Sequence, residues 1–324
     1  MHGKWKEIVL ALMLGLICPA LLFSITGDSA GKESQAETVQ TQLQLSTTAP
    51  SEFQISVLME DGSVKCMELD AYLTAVVLRE MPAAFETEAL KAQAVVARTY
   101  ALRRYATGGK HTGAAVCTDS SCCQGYCSQD EYLADGGTQE ELEKVREAVC
   151  ATSDLVLMYH GELIEATYFS CSGGMTEDAQ AVWGSDIPYL QSVKSPGEED
   201  ASHYIDTVTF SADEFEQLLG AKLSENPGTW LERITYTDGG GVDTIRICGV
   251  DYKGTTLRQR LGLRSTAFVM SAVGNTITIT TKGFGHRVGM SQYGADAMAV
   301  QGSSYMEILA YYYQGTELVR YPGN

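Results

Sequence analysis

A chain of 324 residues, 44% hydrophobic and 20% charged, is long enough for one large domain or two modest ones around a sizeable core. Its formal charge of −18 excludes nonspecific nucleic-acid binding, which needs a basic face, and disfavours close approach of a folded part to anionic lipid.

The N-terminus carries His2, Lys4 and Lys6, followed by Ile8–Ile25, 18 residues without a charge. Such a run can span a bilayer and exceeds a usual signal-peptide core. Residues 1–28 are therefore expected to form an uncleaved single-pass anchor, and the basic flank places the rest of the chain outside the cytoplasm. A cleaved secretory signal would export it as well. Residues 29–51 are rich in Ser, Thr, Gln and Glu and read as a flexible linker. The folded domain is expected over 52–324.

From Phe53, two alternating runs flank Asp61-Gly62, which predicts a hairpin. Asp70 is expected to cap a helix running to Arg79-Glu80, stopped by Met81-Pro82 because a residue before proline avoids helical geometry. A second helix is expected over 86–104, and 108–135 reads as a loop. Thr138 and Glu141 form a capping box that opens a third helix to about Ala151. A further hairpin comes next over 155–170. A middle lobe, about 202–281, holds a glycine-ended helix at Ser211–Gly220, a hairpin with a Gly239-Gly240-Gly241 tip, a short helix and a strand. A glycine-rich turn and terminal helices close the chain. These elements predict an α+β fold of mixed helices and mostly antiparallel hairpins, with a main lobe and an inserted smaller lobe.

Three places carry candidate chemistry. Glu80 sits at a helix C-terminus beside Val76, Val77 and Met81. The helix dipole and apolar neighbours both raise a carboxyl pKa toward the range of a general acid; a solvated helix-end glutamate is the plain alternative. Lys91 and Arg98, seven residues apart, fall on one helix face, either as a polar-chain site or as a surface stripe. His111, Cys117 and Cys123 are spaced H-x5-C-x5-C, which suits zinc with one position left open. One or two disulfides are the alternative, and Cys122 and Cys127 could serve either arrangement. The nine cysteines are an odd count, and Cys18 lies in the apolar N-terminal run.

Three stretches taken together carry a resemblance: "AYLTAVVLREMPAAFETEALKAQAVVARTYAL", "TYFSCSGGMTEDAQAVWGSDIPYLQSV" and "GFGHRVGMSQYGADAMAVQGSSYMEILAYYYQGTEL". They resemble, in family order, the stage II sporulation protein D family of peptidoglycan lytic transglycosylases, over about Phe53 to Leu318. The resemblance implies cleavage between N-acetylmuramic acid and N-acetylglucosamine in glycan strands already stripped of stem peptides. It implies action during engulfment in endospore formers, at the mother-cell membrane facing the intermembrane space, with a wall amidase and a membrane partner. It places the catalytic acid of the E-M-P motif on Glu80. It also places the zinc site of clostridial members on His111, Cys117 and Cys123. Lys91, Arg98, Gln124, Tyr126, Ser170, His286 and Tyr293 become candidates to line the groove. Cys171 departs from the residues common at that position, which leaves its role open. A noncatalytic glycan-binding module is the rival of a different class. A zinc amidase or peptidase is another, although the sequence has no H-E-x-x-H.

Overall fold

Alternating side chains and a tight Asp-Gly turn start the domain. In the computed structural model, which describes residues 53–202 and 204–321, β1 (Gln54–Leu58) and β2 (Val64–Glu68) pair antiparallel, Gln54 facing Glu68 and Leu58 facing Val64. Asp61 Oδ1 accepts the Ser63 N–H at 2.9 Å and closes the turn. The expected anchor, 1–28, and linker, 29–51, lie outside the described residues. Among the described residues, no helix is long and apolar enough to cross a membrane.

Helix α1 (Leu69–Glu80) follows β2 directly, and α2 (Thr87–Ala106) comes after the Pro82 break. Asp70 is not the cap: Glu68 holds that position without a side-chain bond. Asp70 instead turns inward, where its carboxylate accepts Arg98 Nη2 at 3.1 Å and Ser153 Oγ at 2.6 Å. Helix α2 is buried on nearly every side. Ala92, Ala94, Ala97 and Ala101 are fully buried and keep it slim enough for α1 and later elements to pack around it.

The stretch 108–135, expected as a loop, contains β3 (Val116–Cys117), parallel to β1, and α3 (Gln129–Ala134), opened by a Ser128–Glu131 capping box. Helix α4 (Gln139–Ala151) starts at the expected Thr138–Glu141 box. Strands β4 (Leu155–Tyr159) and β5 (Glu162–Leu163) form a hairpin. Strand β6 (Tyr168–Phe169) leaves it to run beside a later strand, and α5 (Ala179–Trp183) comes after it.

Residues 205–282 surround a hydrophobic cluster of their own, centred on Phe215, Ile245, Leu257, Ile277 and Ile279. It is enclosed by β7 (Ile205–Ser211), α6 (Ala212–Leu219), β8 (Leu231–Tyr236), β9 (Val242–Ile247), β10 (Val250–Lys253), α7 (Gly254–Arg260), β11 (Phe268–Val273) and β12 (Thr276–Lys282). Two sheets result, ordered β11-β12-β7 and β10-β9-β8. The chain returns to the main core through β13 (Met290–Ser291), which pairs parallel with β6, then α8 (Gln292–Val300) and α9 (Tyr305–Tyr312). Finally β14 (Glu317–Arg320) adds antiparallel to β4. Apart from two short parallel pairs, the described strand pairings are antiparallel, so the fold is α+β.

One buried ion pair joins the two clusters. Arg287 reaches Glu177 at 3.2 Å and donates to the carbonyls of Ser172, Met175 and Gly239. Glu177 Oε1 also accepts Thr237 Oγ1 at 2.8 Å and the Gly241 N–H at 3.0 Å. A Cβ at Gly241 would stand 2.2 Å from that oxygen, so glycine is what lets the hairpin tip come this close.

Candidate active site

Glu80 is the last residue of α1. Proline at 82 forces Met81 into an extended conformation, so the helix ends with the Met81 N–H on Val77 O at 3.0 Å. The carboxylate then meets the cysteine-bearing loop, where Gly125 donates its N–H to Glu80 Oε1 at 2.5 Å. The neighbouring Tyr168 and Gln292 side chains and the nearby Arg79 charge favour its ionised form. Burial opposes these contacts and wins, pushing the Glu80 pKa above its ordinary value.

Behind the acid runs a chain of hydrogen bonds. Tyr72 Oη donates to Gln124 Oε1 at 3.2 Å, and Gln124 Nε2 donates to Tyr168 Oη at 3.3 Å. The Tyr168 hydroxyl accepts this bond and stands beside Glu80. Tyr72 is fully buried, and this row fixes where the carboxylate points.

Glu80 opens on a cavity of about 720 Å³ that also has Arg79, Phe85, Ser170, Phe284, His286 and Tyr293 in its wall. Glu80 is the one carboxylate among the described lining residues. Tyr293 packs edge-on against Phe85 at 5.0 Å, and its hydroxyl is 3.4 Å from Ser202 Oγ. His286 is held by the Val288 N–H on its Nδ1 at 3.1 Å. Burial, with Arg258 nearby, lowers its pKa to about 4, so the ring is neutral at pH 7.

Of the residues expected in the groove, Ser170, His286 and Tyr293 share the cavity with Glu80. Gln124 stands behind the acid and acts through Tyr168. Tyr126 stacks on Tyr72, ring centres 6.2 Å apart, and lines an adjoining cavity of about 740 Å³. Two expectations need correction. Arg98 is fully buried and donates to Asp70, Val149 O and Thr152 O, because its helix is enclosed rather than exposed along one face. Lys91 pairs with Glu88 at 2.6 Å and lies 5.9 Å over the Tyr305 ring, outside the cavity wall.

The second feature is a donor cluster. His111, Cys117, Cys122 and Cys123 bring their ligand atoms within 4.8 Å of one another. His111 Nε2 is 3.5 Å from Cys123 Sγ and 3.7 Å from Cys122 Sγ, and the two sulfurs are 4.0 Å apart. Tetrahedral bonds of about 2.0–2.3 Å separate ligand atoms by roughly 3.5–3.8 Å, so the cluster fits one small cation. The described cysteines form no disulfide. Cys122 completes the set, whereas the Cys127 thiol turns to Ser128 O at 3.6 Å. The cluster lies close to the acid in the chain: Cys122 and Cys123 donate their N–H groups to Asp119 O, and Gly125, which bonds Glu80, is two residues further on.

Cys171 is buried, and its thiol donates to Glu198 Oε2 at 3.2 Å; burial pushes its pKa up to about 12, so it stays protonated. Glu198 also takes the N–H groups of Ser172 and Gly173, so it knots this loop together.

Sequence reasoning missed Tyr168, Gly125 and Gln292. Tyr168 and Gln292 lie inside the quoted motif stretches, but a strand tyrosine and a glutamine opening a helix carry no spacing signal of their own.

A half-buried single acid, bonded by a backbone N–H and flanked by tyrosine and glutamine beside a His/Cys donor cluster, defines the class of site on this α+β frame. Comparison with known proteins gives the family. Residues 60–159 match the family model described as Stage II sporulation protein. "Stage II sporulation protein D" of Bacillus subtilis (strain 168) is 44% identical over 261 residues, covering 79% of this chain and 76% of that one. Its namesake from Bacillus amyloliquefaciens is 42% identical over 79% of this chain and 75% of that one. "Amidase enhancer" of Bacillus subtilis (strain 168) is 32% identical over 77% of this chain, but over 40% of its own length. The chain belongs to the stage II sporulation protein (SpoIID) family.

Proposed function

We propose that this protein is a lytic transglycosylase of peptidoglycan that acts in sporulation. The observation that carries this reading is the lone carboxylate in the cavity, half-buried and raised in pKa. A glycoside hydrolase needs two carboxylates flanking the bond. An enzyme that uses the sugar's own hydroxyl as nucleophile needs one. Protonated Glu80 donates to the glycosidic oxygen as the muramyl C1–O bond breaks. The resulting carboxylate takes the proton of the muramyl C6 hydroxyl, whose oxygen bonds C1. The product is a 1,6-anhydro end and a free N-acetylglucosamine hydroxyl, with Glu80 protonated again and no water consumed.

The remaining residues hold and orient. The Gly125 N–H aims the carboxylate beside Tyr168 and Gln292, and Ser170 and Tyr293 stand where the chain of sugars would lie. Zinc is the cation we assign to His111, Cys117 and Cys123, the positions of the clostridial-type resemblance, with Cys122 beside them in the donor cluster. Its contribution when bound is to fix the loop that carries Gly125. The full reading places an N-terminal anchor over 1–28, a linker over 29–51 and the domain over 52–324 outside the cytoplasm. There it would work on peptide-stripped strands with a wall amidase and a membrane partner of the engulfment complex.

A second reading rests on the likeness to a protein named amidase enhancer: a noncatalytic glycan binder that modifies an amidase. Mass analysis of peptide-free glycan after incubation separates the readings. Anhydro ends support the lytic reading, reducing ends a hydrolase, and intact strands the binder.

A further inference from the structure

Trp183 stands partly open to solvent beside His286, and Phe284, with Arg264 over its ring, lines the same cavity as His286. Trp183 is 43% exposed and Phe284 39% exposed, a large apolar area for two side chains next to one cavity. The Trp183 ring centre is 5.3 Å from that of His286, with the planes tilted by 54°. His286 and Phe284 are both in the wall that holds Glu80.

The half-exposed indole sits on a fixed backbone. Asp178 caps α5 by accepting the Ala181 N–H at 2.7 Å, and the Ala179 N–H bonds Leu190 O at 3.0 Å. Gly184, left-handed with φ 74°, ends the helix just after Trp183. One residue before the cap, Glu177 donates its N–H to Arg287 O at 2.6 Å, and its carboxylate accepts the Arg287 side chain. Arg287 directly follows His286. The buried ion pair therefore anchors the segments that carry Trp183 and His286, so the two rings are set side by side before anything binds.

We propose that Trp183, with His286 and Phe284, forms an aromatic platform on which an N-acetylhexosamine ring of the glycan stacks. This rests on the glycan reading above. Sugar rings present an apolar C–H face that suits a flat aromatic surface, and a rigid ring gives area at little entropic cost. The neutral His286 adds no charge that would have to be desolvated. Trp183 is a binding residue and takes no part in the proton transfers.

The test uses the full chain carrying Glu80→Gln, titrated with a neutral N-acetylglucosamine oligomer, and reads Kd by calorimetry and tryptophan emission. Trp230 is 4% exposed in the other core, so a change in emission among the described tryptophans reports Trp183. Adding Trp183→Ala should weaken binding roughly tenfold. Trp183→Leu, which keeps apolar bulk without a flat ring, should weaken it equally and covers the case in which the alanine variant misfolds. Trp183→Phe should keep most of the affinity and lose the emission change. An unchanged Kd in folded Trp183→Ala or Trp183→Leu protein overturns the platform. No binding by the Glu80→Gln chain also overturns it. Anhydro-product release by the protein with Glu80 intact bears on the lytic reading alone, so the two failures are separable.

Discussion

Glu80 holds its proton because of where it sits. Burial raises its pKa, against the pull of Gly125, Tyr168, Arg79 and Gln292. The proposed reaction would start from the protonated acid, so kcat/KM should fall as pH rises through that raised value; a profile rising with pH there would contradict the role. The same shift has a sign for stability. A carboxyl whose folded pKa exceeds its ordinary 4.5 stabilises below that value and loses its contribution as pH climbs through the folded one. Glu80→Gln should therefore melt higher than the native protein at pH 7, with the gap closing below the ordinary value of 4.5. His286 works the other way. Its pKa falls from 6.5 to about 4, so the unfolded chain binds the proton first and stability drops as pH is lowered through that window. His286→Gln should flatten that part of a stability–pH curve. The position of Glu80 at a helix end among apolar neighbours could be read from the sequence, because proline and periodicity are local. Its partners could not, since Tyr168 and Gln292 lie 88 and 212 residues away along the chain.

The loop between α2 and α3 joins the donor cluster to the acid. A Cβ on Gly125 would stand 2.7 Å from Arg79 Cγ and 2.9 Å from Glu80 Oε1. Gly125→Ala should therefore displace the carboxylate and cost about 100-fold in rate with little change in melting temperature. If rate and melting temperature fall together, the effect is on the fold and not on the acid. Cys123→Ser should lower bound metal and thermal stability together; unchanged metal stoichiometry would count against the cluster as the site. Hairpins and capped helices were legible in the sequence because each is decided by a few neighbouring residues, as Asp61-Gly62 and Thr138–Glu141 show. Asp70 misled for the same reason: nothing local says that Arg98 and Ser153 await its carboxylate. The H-x5-C-x5-C spacing pointed to His111, Cys117 and Cys123, but not to Cys122. The turn at Asp119 puts both adjacent thiols on one side, which spacing alone does not reveal.

Across the molecule, the Glu177–Arg287 pair connects the main core to the hairpin tip of the second cluster. Burial raises the Glu177 pKa and lowers that of Arg287, both toward the neutral forms, so desolvation outweighs their attraction. Removing one partner, as in Glu177→Ala, leaves a buried charge unpaired and should cost about 3–5 kcal/mol in denaturant unfolding. A loss below about 1 kcal/mol, the range of exposed pairs, would mean that the pair does not clamp the structure. The alternation of elements made the α+β class readable, whereas the long-range contacts that place Arg98 inside and His286 at the cavity were not. The central claim is that one carboxylate performs the whole reaction. Its most direct test is mass spectrometry of peptide-free glycan incubated with the native protein and with Glu80→Gln. The account predicts 1,6-anhydro ends from the native protein and a loss of at least about 100-fold with the variant. Reducing ends, or anhydro ends released equally by both, would contradict it.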